Sequence, residues 1–122
     1  MENTHSLYNK TKGSLLIKQL NIADTFVSRF LGLMGKTVEP TEGLLIKPCN
    51  SIHCMFMKIP IDVIFVNEDN KVVHKILNMK PWTLSPIIKT SKYVVESPIG
   101  RFTDVNIGDE IEIVTHKKDV LK

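Results

Sequence analysis

The chain reads as a mainly β protein, a single-domain sandwich or small barrel with one short helix in its N-terminal half. Three observations predict this. Short apolar or alternating runs, about seven of them, recur between turn signals, a spacing typical of sandwiches and small barrels. One stretch alone, residues 21–35, changes to a helical period. The 122 residues are 43% hydrophobic and 24% charged, enough to bury a core without disulfide or metal staples. The expected organisation is a flexible N-terminus over residues 1–13, one β-rich domain over 14–114 and a tail over 115–122.

The elements follow in order. Ser14 to Leu20 reads as a strand, with Leu16, Lys18 and Leu20 on one face and Leu15, Ile17 and Gln19 on the other. From Asn21 to Gly35 the residues Phe26, Val27, Phe30, Leu31, Leu33 and Met34 form a helical stripe. Asp24 or Thr25 suits its N-cap and Gly35 a left-handed C-cap. Residues 37–42 form a turn-rich link around Pro40, and Gly43 to Lys47 is a short strand closed by Pro48. Ile52 to Met57 and Ile61 to Asn67 are strands separated by Pro60. Asn67-Glu68-Asp69-Asn70 is a hairpin signal, since Asn and Asp tolerate positive φ, and Lys71 to Leu77 returns as its partner. Residues 78–90 form a long irregular loop holding Pro81, Trp82 and Pro86. Lys92 to Ser97 is a strand turned at Pro98 and Gly100, residues 101–106 read as one irregular helical turn, and Glu110 to Val114 is the last strand.

Composition excludes several classes. The formal charge of +3 is small, and neither a basic stripe nor interleaved aromatics is present, so no nucleic-acid partner is expected. The apolar runs are too short and too interrupted for a membrane span. The N-terminus lacks the charged start, apolar core and small-residue site of an export signal. The expectation is a cytoplasmic protein whose two cysteines, Cys49 and Cys54, are reduced.

Residues 51–66 are the most apolar run, yet they carry His53, Lys58 and Asp62. Polar groups set into core strands need partners or a use. Cys49, His53, Cys54 and His74 are metal-ligand types, but the cysteines form no C-x-x-C knuckle, and His53 and Cys54 are strand neighbours that diverge to opposite faces. No metal or cofactor is expected, and the same divergence argues against a Cys54–His53 nucleophile pair. Buried carboxylates are costly unless paired. Arg29, set among apolar helix positions, is the expected partner of Asp62, and Glu96 is another polar residue embedded in a strand. Read structurally, Arg29 pins the helix to the sheet through Asp62. Read functionally, His53 and Asp62 floor a pocket with Arg29 as its wall. Trp82, the sole tryptophan, either stacks on a ligand or plugs one end of the fold.

Several blocks in order resemble a known family. They are Ala-Asp-Thr-Phe at 23–26, Arg29, Gly-Leu-Met-Gly-Lys at 32–36 and Glu-Gly-Leu-Leu at 42–45. They continue with Ser-Ile-His at 51–53, Phe-Met-Lys at 56–58, Pro-Ile-Asp-Val-Ile-Phe at 60–65, Pro81-Trp82, Val95-Glu96 and Gly108-Asp109. Over residues 14–114 the chain resembles the bacterial and archaeal family called domain of unknown function 192. The resemblance implies a compact, jelly-roll-like or barrel-like β fold with one short helix, and it supplies no activity. Its family-type positions include Arg29, His53, Asp62, Pro81, Trp82 and Glu96. Cys54 departs from the family's usual residue.

The expected function is a small binding module whose ligand-binding residues are Arg29, His53, Asp62, Trp82 and Glu96. Its ligand would be sugar-like, a small polar molecule or a peptide end. One alternative is a small hydrolase or isomerase with His53 as acid or base and Asp62 orienting it. Another is an interaction scaffold, which would show an exposed apolar patch in place of a cleft. The expected partner is a small molecule or a protein, and the expected state is a monomer or weak dimer.

Overall fold

The computed structural model describes residues 3–23, 42–51 and 59–117. In chain order the described strands are β1 (Asn3–Asn9), β2 (Ser14–Ile17), β3 (Gln19–Ala23), β4 (Glu42–Ile46), β5 (Ile61–Val66), β6 (Val72–Met79), β7 (Tyr93–Pro98) and β8 (Ile111–Lys117). They form a three-stranded sheet in the order β2-β1-β8 and a five-stranded sheet in the order β3-β4-β7-β5-β6. Every described pairing is antiparallel except β3 with β4. The protein is therefore mainly β, built on two sheets, and the described strands do not close into a barrel.

Alternation along the strands divides the apolar residues between two cores. Leu7, Leu16, Ile17 and Ile111 from the smaller sheet meet Leu20, Leu45, Ile64, Val66, Val72, Tyr93 and Val95 from the larger one, with Phe102 and Val105 from the segment before β8. Leu44, Ile46, Ile61, Val63, Phe65, Met79 and Val94 form a second core on the other face of the larger sheet, where Cys49, Ile59 and Ile88 pack against it. β5 and β7 are thus covered on both faces, which is why burial runs almost unbroken along both of them, the polar Asp62, Glu96 and Ser97 included. Each fully buried Leu, Ile or Phe contributes about 1.5–3 kcal/mol.

The sheets approach closely at Gly43. A Cβ there would lie 2.5 Å from Ile17 Cδ1 and 3.2 Å from the Glu96 carbonyl oxygen. The hairpin between β5 and β6 forms as expected. Asn67 Oδ1 accepts from the amides of Asp69 (3.0 Å) and Lys71 (2.9 Å), and Asn70 takes a φ of 62°.

Three expectations are corrected. The strand read over 14–20 breaks at Lys18, so β2 and β3 belong to different sheets; Ser6 Oγ donates to the Lys18 carbonyl (2.9 Å) at this corner. The corner explains the imperfect alternation, since Leu16, Ile17 and Leu20 are all buried. The N-terminus expected to be flexible supplies β1, the middle strand of its sheet, and β8 extends into the expected tail to pair Lys117 with Asn3. Polarity hid β1: its Asn9 is buried, and Asn9 Nδ2 donates to Asp109 Oδ2 at 2.8 Å. Residues 21–23, which precede the N-cap read at Asp24 or Thr25, belong to β3, and the expected helix lies outside the described residues. Residues 101–106 form turns in place of a helical turn. There the Lys75 ammonium donates to the carbonyls of Val105 (2.7 Å), Thr103 (3.3 Å) and Phe102 (3.4 Å).

The turn before β8 is built on Asp109. Its Oδ2 accepts from the Asn9 side chain and from the Asn106 amide (2.9 Å), with Lys12 Nζ at 3.6 Å. Burial works to raise this carboxyl, but the Asn106 amide, the Asn9 side chain and the Lys12 ammonium together hold it below the ordinary carboxylate value.

Two outcomes are expected. Gly43→Ala should lower stability by about 1–3 kcal/mol through overpacking, read from urea denaturation with an unchanged slope. The Asp109 carboxyl titrates lower folded than unfolded. Its contribution is therefore complete above its unfolded value, near pH ~4, and is lost as pH falls through the folded value. Stability should decline below about pH 4, and Asp109→Asn should flatten that part of the curve. Glu110 is also held low, by its hydrogen bond with Lys71 and by the charges of Lys10 and Lys71. The series is therefore run in high salt, which screens that exposed cluster. Parallel acid limbs for variant and wild type would remove the assignment to Asp109.

Candidate functional site

Of the five expected site residues, Arg29 and His53 lie outside the described residues, as does Cys54. The other three fall in three different settings.

Asp62 is the second residue of β5, which lies between β6 and β7. It is buried at 2% exposure. Against β7 the pairing is regular, with Asp62 opposite Ser97. Against β6 the pairing shifts between Ile61 and Val63: Ile61 faces Met79 and Val63 faces Ile76. Leu77 and Asn78 therefore stand against Asp62 alone, a β-bulge. Asn78 adopts a left-handed φ of 57°, and its amide donates to Asp62 Oδ1 at 2.8 Å. On the other side, the turn after β7 brings the Gly100 amide to Asp62 Oδ2, also at 2.8 Å, with Gly100 at a φ of 103°. One carboxylate thus holds two backbone amides, a strong, charge-assisted arrangement. The sequence reading paired Asp62 with Arg29; the described partners of its two oxygens are main-chain donors.

Glu96 occupies the opposite face. It pairs with Val63 on one side and Leu44 on the other, and both belong to the second core. Asp62 and Glu96, both buried, are separated by the thickness of the sheet.

Trp82 stands in the loop between β6 and β7. Both feet of this loop are fixed. Met79 and Ile88 pack on the second core, and the Ile88 amide donates to the Asn50 carbonyl at 2.7 Å. Ser91 Oγ donates to the carbonyls of Cys49 (2.9 Å) and Tyr93 (3.1 Å), and the Lys92 amide donates to Val66 O at 2.7 Å. Between those anchors Trp82, Leu84 and Ile87 are 65%, 73% and 68% exposed. Trp82 also has a φ of 66°, a region that bulky residues rarely adopt. The sequence reading singled out Trp82 and missed Leu84 and Ile87. The signal that finds them is a set of large apolar residues inside a proline-bounded loop, where no strand period accounts for them.

Cys49 is half-buried, and its thiol donates to the Ser51 carbonyl at 2.9 Å beside the second core. Among the described residues no cluster of three or more His, Cys, Asp or Glu side chains is placed to hold a metal ion. An open groove of about 380 Å³ lies at the far end of β5, lined by Lys10, Asn70, Glu110, Ile111, Glu112 and Ile113. None of the expected site residues lines it, and its Glu110 is engaged by Lys71 (3.3 Å) and Lys10 (3.5 Å).

The chain belongs to the DUF192 family, whose model, described as "Uncharacterized ACR", matches residues 7–113. It is 37% identical over 113 residues to a UPF0127 protein of Thermococcus sibiricus, covering 87% of this chain and 73% of that one. It is 36% identical over 114 residues to a UPF0127 protein of Pyrococcus furiosus, covering 87% and 96%. A solved structure of a protein of unknown function from Novosphingobium aromaticivorans superposes with a TM-score of 0.76 at 23% identity, covering 89% of this chain and 83% of that one. That last likeness concerns the fold alone.

Removing the Asp62 carboxylate should be costly. Asp62→Ala leaves two amides without their acceptor and should lose about 2–4 kcal/mol in chemical denaturation, with faster hydrogen exchange at Asn78 and Gly100. Asp62→Asn keeps one side-chain oxygen and should lose roughly half of that. An unchanged midpoint for Asp62→Ala would show that the carboxylate does not hold the backbone.

Proposed function

We propose that the protein is an interaction scaffold, not an enzyme, and that its contact surface is the loop over residues 80–92. The observation that carries this reading is the exposure of Trp82, Leu84 and Ile87 between two anchored feet. Large apolar side chains gathered on a surface loop mark interaction sites, because leaving them in water forfeits the stabilisation that burial would bring. The left-handed backbone at Trp82 adds a second local cost, of the kind that persists at functional positions.

The geometry supports this more than the small-ligand pocket or the hydrolase. A pocket using Asp62 and Glu96 together would have to span the sheet. Asp62 is committed to the Asn78 and Gly100 amides, so a role orienting an imidazole would compete with the main chain it holds.

The test is the stability of a triple variant, Trp82→Ser with Leu84→Ser and Ile87→Ser. Its calorimetric midpoint should lie within about 3 °C of wild type, since surface substitutions are nearly neutral. Ile88→Ser, one residue on but packed against the second core, should cost about 1–3 kcal/mol, or on the order of 10 °C. If the triple variant falls as far as Ile88→Ser, the three side chains are structural and the reading fails.

A further inference from the structure

We propose that the 80–92 loop docks on the surface of an anionic lipid bilayer; this names the partner of the surface just described and rests on that reading. Three independent features of the loop select this occupant.

The first is charge. Lys80, Lys89 and Lys92 are all exposed around the apolar residues, and no Asp or Glu occurs anywhere from Asn70 to Val95. The rest of the chain carries its acids mixed with bases, so the loop is a local cationic surface in a molecule of net charge only +3. Anionic headgroups attract such a segment, and lysine stems can lie along apolar surface while the ammonium stays at headgroup level.

The second is residue type. Trp is the side chain most suited to the boundary between headgroups and acyl chains, where its ring is buried and its N–H stays wet. Leu84 and Ile87 beside it are purely apolar and more exposed than Trp82 itself. Exposed apolar side chains can enter a soft surface without a matching shape, whereas a protein partner would need a cavity to receive them.

The third is the state of the loop's polar groups. A segment entering the interface must not carry unsatisfied hydrogen-bonding groups with it. Pro81 and Pro86 have no amide donor to satisfy. Thr83 Oγ1 donates to the Lys80 carbonyl at 2.5 Å, and Ser85 Oγ donates to the Pro86 carbonyl at 2.9 Å. The two tip hydroxyls are thus already bonded within the loop. No helix of the described residues is long and apolar enough to cross a membrane; the contact proposed is with the bilayer surface.

The chain carries its own reporter, since Trp82 is the sole tryptophan. The full chain is titrated with vesicles of phosphatidylcholine alone and of phosphatidylcholine mixed with phosphatidylglycerol, following tryptophan emission and co-sedimentation. The expected result is a blue shift and sedimentation with the anionic vesicles, weakened at least tenfold by high salt and absent with the zwitterionic ones. Leu84→Ser with Ile87→Ser, and separately Lys80→Glu with Lys89→Glu, should each reduce binding at least tenfold while leaving the melting temperature near wild type. No shift with anionic vesicles at low salt overturns the lipid proposal, and with an undisturbed melting temperature in the triple Ser variant it leaves the surface reading standing with a protein as occupant. Equal binding to both vesicle types, or binding that survives either pair of substitutions, also overturns it. A large loss of stability in the triple Ser variant would instead remove the underlying reading.

Discussion

The arrangement depends on the Asp62 carboxylate and the two amides it holds. β5 is an inner strand, and the chain beside it departs from regular pairing on each side: a bulge in β6 and a turn after β7. Both departures expose an amide that has no ladder partner, and both use left-handed backbone, at Asn78 and Gly100. A hydrogen bond to a charged acceptor contributes about 1.5–3 kcal/mol, which offsets the local cost of each feature. Asp62 supplies one oxygen to each. The bulge then delivers β6 into the 80–92 loop, and the turn delivers β7 into the segment that places Phe102 and Val105 in the core between the sheets. One side chain thus fixes the exits of two strands, one toward the exposed loop and the other toward the core.

The same principle runs through the remaining buried polar residues. Ser6, Asn9, Asp62, Ser91, Glu96, Ser97 and Asp109 are all buried, and among the described residues no buried side-chain nitrogen or oxygen lacks a hydrogen-bond partner. Their partners are mostly main chain. Ser6 marks the corner at Lys18, Ser91 ties Cys49 to Tyr93, and Asp109 orders the turn from Asn106. Lys75 does the converse, its ammonium gathering three carbonyls. Polar side chains at these sites replace hydrogen bonds that the ladders cannot make where the chain leaves a sheet. They specify where strands end, while the apolar residues supply the burial.

What was legible in the sequence follows from this division. The β class, the strands β4 to β7 and the Asn67–Asn70 hairpin were readable because apolar runs and turn residues report burial and positive φ locally. β1 was not, because its inward residues include Ser6 and Asn9, whose burial rests on partners about a hundred residues away in β8 and its turn. The break at Lys18 was invisible for a related reason: a strand that changes sheets keeps its composition. Asp62 and Trp82 stood out in the sequence as unusual residues, one polar in an apolar run and one aromatic in a loop. The partners of Asp62 were beyond the sequence, since an amide donor is present at every residue except proline. That Asp62 and Glu96 face opposite ways required the register between β5 and β7.

The 80–92 loop is where exposed apolar side chains are concentrated, three of them within six residues. Elsewhere among the described residues the exposed large apolar side chains, Leu15, Ile22, Leu77, Ile99 and Ile107, do not gather in one loop, and the buried polar atoms are satisfied. The three lie between Met79 and Ile88, both packed on the second core, and Trp82 also takes a backbone conformation that opposes its bulk. A loop that merely lacked a structural role would cost less with small polar residues and ordinary φ. A loop that had collapsed for want of a partner would bury these side chains against the sheet, and the firm anchoring at Asn50, Cys49 and Val66 prevents that collapse. Anchored feet and an apolar tip are what the proposed contact surface requires, since the ordering entropy of such a loop is lost during folding and not at the moment of binding.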